Sequence, residues 1–227
     1  MEKVVISLGG SIIIPGDRDG EFLCRFASML RPLIDDLEIY VVCGGGRTAR
    51  YYINTGRELG GSEEQLDEMG IEVTRLNARL LQISLGELAG DTVPRTVEET
   101  AAEGRRGRVA IMGGTTPGHT TDGVSAALAE MVGASRIVNA TSVDGVYSAD
   151  PKKYEDSVKF ERLTFAELDA MMGKSKHGAG NSNVFDPMGA EIVKRCRIPI
   201  LVVHGRDIED MRNAILGLRI KGTVIDG

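Results

Sequence analysis

Three glycine clusters each close a short β-branched run: Gly9 Gly10 Ser11 after Val4 to Leu8, Gly44 Gly45 Gly46 after Ile39 to Cys43, and Gly113 Gly114 Thr115 after Val109 to Met112. A strand that ends in glycines and turns into a helix offers bare backbone N–H groups at the positive end of the helix dipole, where a phosphate can approach closely. Gly44 to Gly46 ahead of the helical stretch Arg47 to Leu59 has this form. Arg50, one turn in, can add a charge-assisted hydrogen bond to a phosphate oxygen. A tight turn alone explains one such cluster, whereas three at one sheet edge point to a polyphosphate or a pair of phosphate ligands facing one cleft.

The stretch Gly113 to Gly123, GGTTPGHTTDG, gathers Thr115, Thr116, Thr120 and Thr121 around Pro117, Gly118 and His119, just before Asp122 and the helical segment Val124 to Val132. Its hydroxyls can grip an anionic acceptor. Taken alone, Thr121 or Asp122 reads equally as the cap of that helix and His119 as a turn residue. His177 and His204 complete no metal-ligand spacing with His119. Two familiar phosphate signatures fail: the nearest approach to GxxxxGK[ST] has His119 where the lysine belongs, and GxGxxG fails because Gly44 and Gly46 have no third glycine in place.

The elements that must position these residues are short apolar strands alternating with amphipathic helices. Arg136 to Ala140 and Pro199 to Val203 read as a fourth and fifth strand, while Phe22, Phe26, Met29, Leu30 and Leu33 and then Ile71, Leu76, Leu80, Leu81 and Leu85 repeat at helical spacing. Such alternation predicts an α/β fold, a mostly parallel sheet with helices on both faces, whose ligands bind beyond the carboxyl ends of the strands. Asp144 Gly145, set between β-formers in Val143–Tyr147 after the run Ile137–Thr141, predicts a hairpin. The polar stretch 173–183 reads as a mobile lid, and Asp186 Pro187 as a helix N-cap with proline at the first helical position.

Composition narrows the classes. The chain has 227 residues, 33 acidic against 27 basic, for a net charge of -6, which argues against broad phosphate neutralisation on nucleic acid. Apolar runs fall far short of the roughly 20 residues a membrane span needs, and Met1 Glu2 Lys3 leads straight into a strand with no export signal. A cytoplasmic protein is expected. Cys24, Cys43 and Cys196 read as small buried hydrophobes, and Arg105, Arg106 and Arg108 as a solvated loop before a strand. The 29 glycines sit at element boundaries rather than in a low-complexity tract.

The ordered set of three glycine strands, PGHTTD, NATSVDGVYSADP and the late Asp186 resembles the amino-acid kinase superfamily, and within it the short archaeal-type uridylate kinase family, end to end. The resemblance implies one domain over residues 1–227, a three-layer α/β/α sandwich of the amino-acid kinase fold, and a homohexamer. It also implies transfer of the γ-phosphoryl of MgATP to UMP for pyrimidine nucleotide synthesis. It places Gly9, Gly10, Ser11, Gly46 and Arg50 on the ATP phosphates and Thr141, Tyr147 and Asp150 on the adenosine. Gly44, Gly45, Asp67 and the loop Thr115, Thr116, Pro117, Gly118, His119, Thr120 and Thr121 fall on UMP. Asp122 and Asp186 resemble the family's acidic organisers at the transferring phosphoryl, and no protein metal site is implied beyond the Mg²⁺ that travels with ATP.

One position departs from the pattern. Many family members carry a lysine two residues before the first glycine pair, where this chain has Ser7. Replacement charge is expected from Lys152, Lys174 or Lys176. Two other readings compete: a kinase of another small phosphate such as isopentenyl phosphate, and a nucleotide-binding regulator without turnover. The first typically has a histidine soon after its GGG, where this chain has Arg47 Thr48 Ala49 Arg50. The second is motivated by Ser7 and opposed by the intact acceptor loop and both aspartates.

Overall fold

The computed structural model describes residues 1–104, 108–151, 153–174 and 185–227, with backbone only for 172–174. Arg105, Arg106, Lys152, Lys176, His177 and nearly all of the expected lid lie outside the described residues, as does the Lys174 side chain.

Five strand runs legible in the sequence lie side by side in one sheet: β1 (Glu2–Leu8), β2 (Leu37–Cys43), β3 (Ala110–Met112), β4 (Arg136–Thr141) and β8 (Ile200–His204). Short strands β5 (Val146–Tyr147), β6 (Lys159–Phe160), β7 (Arg162–Thr164) and β9 (Thr223–Asp226) complete the set. The seven-stranded sheet runs β3-β2-β1-β4-β8-β9-β7, with β5 and β6 in a separate two-stranded ribbon. Every pair in the large sheet is parallel except β8 with β9.

Period-two alternation sorts the side chains into two cores. Val4, Ile6 and Leu8 of β1 pack with α2 (Asp19–Leu30), α4 (Glu63–Leu85) and α9 (Ile208–Leu216) on one face. Val5 packs with α5 (Val97–Gly104), α6 (Thr121–Val132), α7 (Phe165–Lys174) and α8 (Pro187–Cys196) on the other. The result is the expected three-layer α/β/α sandwich. Among the described residues no helix is long and apolar enough to cross a membrane. The short α1 (Gly10–Ile13) and the longer α3 (Gly46–Glu58) spring from the ends of β1 and β2.

Three expectations are corrected. The Asp144 Gly145 hairpin does not form with β4, because both edges of that strand are already bonded, to β1 and β8. The chain instead leaves the sheet and Val146–Tyr147 pairs antiparallel with Lys159–Phe160. On α4 the buried stripe is Thr74, Ala78, Leu81 and Leu85, so Leu76 and Leu80 fall on the opposite, exposed side. Of the cysteines only Cys43 is buried, since Cys24 is exposed and Cys196 half-buried.

The antiparallel joint between β8 and β9 needs a bare backbone beside it. A methyl group at Gly222 would overlap the carbonyl oxygen of Val202, while one at Gly20, in the first turn of α2, would meet nothing within 4 Å. Gly222→Ala should therefore cost about 1 to 3 kcal/mol, or roughly 2 to 12 °C in Tm. Gly20→Ala should leave Tm unchanged or raise it by a few degrees at most, about 1 kcal/mol. Thermal unfolding of the two variants beside the parent checks the pair.

Candidate active site

From β1 the chain steps outward to β2 and β3, then returns to β4 on the other flank of β1. This reversal is the switch point at which open α/β sheets bind ligands beyond the carboxyl ends of their strands. A cleft of about 330 Å³ opens there. Its walls come from Ser7, Gly9, Gly10, Ser11 and Ile12 after β1, Gly44, Gly45 and Gly46 after β2, and Asn139 to Ser142 after β4. Arg50 enters from α3, and Thr121 and Asp122 from α6.

The first two glycine clusters meet through their backbones. A methyl at Gly10 would overlap the backbone of Gly44, Gly45 and Gly46, and one at Gly46, whose φ is +64°, would lie 2.5 Å from the Ser11 nitrogen. Glycine is required for this approach. Both helices that start here begin without a side-chain cap, α1 at Gly9 and α3 at Gly45. Helix α4, by contrast, is closed by a capping box of Ser62 and Gln65. The first-turn N–H groups of α3 are thus left for an anionic ligand. Arg50 points back across this start, its guanidinium donating to Ser11 Oγ at 3.4 Å.

The third cluster does not line the cleft. Gly114 N donates to Thr74 Oγ1 at 2.6 Å, and a methyl at Gly113 would come 2.6 Å from the same oxygen. That hydroxyl in turn donates to the Ile71 carbonyl at 2.6 Å. Asn77, one turn along α4, donates to the Gly44 carbonyl at 2.7 Å. Thr74 and Asn77 are buried and hold the second and third glycine loops in register. They carry no sequence signal beyond a polar residue on an apolar helical face, which is why sequence reasoning misses them.

Residues 115–121 run from β3 to α6. Thr116 to Thr120 are exposed. The loop is tied to α4 at two points: Gly118 N donates to Asp67 Oδ2 at 2.9 Å, and Arg75 donates to the Thr115 carbonyl at 3.1 Å. Gly118 has φ +85°, a conformation that favours glycine. The cap of α6 is Thr120, not Thr121 or Asp122, and its Oγ1 accepts from Gly123 N at 3.1 Å. Asp122 is thereby released from capping and faces the cleft.

Asp186 caps α8 as expected, accepting from Met188 N at 2.8 Å and Gly189 N at 3.4 Å. Its other oxygen accepts from Thr120 Oγ1 at 2.5 Å. Two glycines let the starts of α6 and α8 close on each other: a methyl at Gly123 would lie 2.6 Å from Asp186 Oδ2, and one at Gly189 would lie 3.2 Å from the Asp122 carbonyl oxygen. Two carboxylates are therefore brought together. Burial, then the charge of Asp186, push the Asp122 carboxyl up to about 6, while a hydrogen bond from Ser7 at 3.0 Å pulls it down.

Thr141 borders the cleft, but Tyr147 and Asp150 do not line it; they follow on the β5 side of the ribbon. Tyr147 donates to Asp144 Oδ1 at 2.7 Å, and Lys159 approaches the other oxygen at 2.9 Å. These two partners hold the Asp144 carboxyl below its usual range. Asp150 has Lys153 Nζ at 3.9 Å.

Comparison with known proteins adds sequence and fold relationships to this geometry. The model of the amino acid kinase family matches residues 2–204. A uridylate kinase of Methanoculleus marisnigri is 45% identical over 225 residues, spanning 99% of this chain and 96% of the relative. One from Methanocaldococcus jannaschii is 42% identical over 227 residues, spanning 99% and 100%. Among solved structures, the uridylate kinase of Archaeoglobus fulgidus superposes with a TM-score of 0.88 at 40% identity, covering 99% of this chain and 100% of that one. A UMP kinase of Bacillus anthracis, at 20% identity and a TM-score of 0.81 over 99% and 96% of the two chains, shares the fold.

The raised Asp122 carboxyl has a consequence for stability. The folded chain holds this proton up to about pH 6, whereas the unfolded chain releases it near pH 3.8. Between those values the folded state binds more protons, so its contribution to stability falls as pH rises and stays low above pH 6. Asp122→Asn should stabilise the ligand-free protein at pH 7.5 by about 1 to 3 kcal/mol, with the advantage shrinking towards pH 4. Thermal unfolding of parent and variant from pH 4 to pH 8 measures it.

Proposed function

The chain belongs to the amino acid kinase family, and on that footing we propose that it is a uridylate kinase, transferring the γ-phosphoryl group of MgATP to UMP and releasing UDP and ADP. The observation that carries the reading is whole-length similarity to uridylate kinases, joined to a glycine-walled cleft at the sheet's switch point. We take residues 1–227 as one domain, because the sheet is continuous across both halves of the chain.

The chemistry asks mainly for alignment and charge. A UMP phosphate is already ionised near neutral pH, so no proton need be removed before it attacks, and the transition state gains from positioning and from donors aimed at the transferring group. Gly9, Gly10, Ser11, Gly46 and Arg50 are proposed to hold the ATP phosphates, a role supported by the uncapped helix starts and by the guanidinium beside Ser11. Thr141, Tyr147 and Asp150 are assigned to the adenosine side. Gly44, Gly45, Asp67 and residues 115–121 are assigned to UMP, supported by the bond that ties the loop to Asp67. Asp122 and Asp186 orient donors between the two substrates. Mg²⁺ enters as part of the donor substrate.

We place the reaction in pyrimidine nucleotide synthesis in the cytoplasm, and the enzyme in a homohexamer. Support for assembly is an unpartnered apolar face on α3 and α4: Tyr51 is 69% exposed, Leu59 83%, Leu76 60% and Ile83 71%. Leu59 and Leu76 border a groove of about 1280 Å³ between the two helices.

Incubation with MgATP and, in parallel, UMP, CMP, AMP or isopentenyl phosphate, followed by ADP release, tests the substrate. UMP-selective turnover is expected, on the order of 1 to 100 per second; release with isopentenyl phosphate alone, or ATP binding without release, overturns the reading. Arg50→Met should lower kcat/KM for MgATP by roughly 10- to 100-fold through loss of one charge-assisted hydrogen bond. For the assembly, Leu76→Glu with Ile83→Glu should shift the particle from hexamer to a smaller species in light scattering after size exclusion.

A further inference from the structure

Ser7 stands where the resemblance puts a lysine, and its surroundings give it a different task. It lies on the same face of β1 as Val5, turned towards α6, and is only 2% exposed. In register it sits between Val42 of β2 and Asn139 of β4. Its Oγ donates to Asp122 Oδ1 at 3.0 Å. A lysine at this position could extend an ammonium into the cleft, whereas a serine ends at its first heteroatom.

We propose that Ser7 is a positioning residue of the phosphoryl-transfer site, one whose hydroxyl holds the Asp122 carboxylate in place with a neutral donor instead of an ammonium. The inference rests on the kinase reading for its catalytic consequence, but the bond itself is a property of the ligand-free protein.

The environment of Asp122 makes that bond consequential. Among the described residues, the charged groups facing it are Asp186 at the start of α8 and Arg50 across the cleft on α3; β1 and β4 present Ser7 and Asn139. Asp186 and burial both favour the protonated form of Asp122, and only the serine hydroxyl opposes them locally. A carboxyl that titrates close to neutrality is sensitive to the loss of one donor. Asp186, in contrast, accepts three hydrogen bonds, from Thr120 Oγ1, Met188 N and Gly189 N, and depends on no single one.

Ser7→Ala removes the donor without adding bulk, and Ser7→Thr keeps the hydroxyl. In Ser7→Ala the titration midpoint of the Asp122 carboxyl carbon, followed by NMR in the ligand-free protein, should rise by about one pH unit. The acid limb of kcat should move up with it, and kcat at pH 6 should fall about fivefold while KM for UMP and for MgATP stays within about twofold. Ser7→Thr should restore the midpoint and kcat together; if the added methyl disturbs the fold, Ser7→Cys, a weaker donor of similar size, should fall between parent and alanine. An unchanged midpoint in Ser7→Ala overturns the proposal, as does a rise in KM with kcat intact, which would put Ser7 on the substrate. Absence of UMP phosphorylation by the parent would sink the kinase reading and leave the NMR titration standing as the test of the Ser7 link.

Discussion

The backbone of Gly10 rests directly on the backbone of Gly44, Gly45 and Gly46, with no room for a side chain at the contact. That closeness sets the width of the cleft. It brings the turns after two adjacent parallel strands together at one rim and lets α1 and α3 start beside each other without side-chain caps. Thr74 and Asn77 hold the arrangement from behind, so the glycine loops are braced rather than loose. Glycine at these positions would ordinarily add conformational freedom, and here the surrounding hydrogen bonds take it away.

A second constraint works against the first. The starts of α6 and α8 approach closely enough to need Gly123 and Gly189, and the approach sets Asp122 and Asp186 beside each other in a poorly solvated place. Like charges so placed destabilise the empty protein, a strain that binding sites commonly carry. The chain relieves it with hydroxyls, Ser7 on one carboxylate and Thr120 on the other. Neutral donors leave the pair's negative charge intact for whatever enters the cleft, whereas an ammonium would cancel part of it.

Much of this was legible in the residues. The central strands stood out as β-branched runs ending in glycine, and the Asp186 cap followed from its proline neighbour, because such signals are local. Thr74 and Asn77 left no trace and Ser7 showed only as a missing lysine, since each is a lone polar residue whose meaning depends on a neighbour far along the chain. The Asp144 Gly145 turn misled for the same reason: its local chemistry suits a hairpin, but the strand before it is central and has no free edge. Leu76 and Leu80 fit a helical period, yet the face they occupy is not the one that meets the sheet. The third glycine cluster reached the expected rim and served packing against α4 instead of the cleft.

The ribbon of β5 and β6 is tied to β9 by one hydroxyl, beside the chain that runs from β6 straight into β7. Thr223 Oγ1 accepts from Val146 N at 2.8 Å and donates to the Phe160 carbonyl at 2.5 Å, so one side chain staples both strands of the ribbon to β9. Lys159 doubles the attachment by reaching the Lys221 carbonyl at 3.2 Å. The far end of the polypeptide thus serves as a hinge pin for a segment folded some eighty positions earlier. A disturbance of β9 at Thr223 therefore reaches the ribbon that carries Tyr147 as well as β8, its neighbour in the sheet.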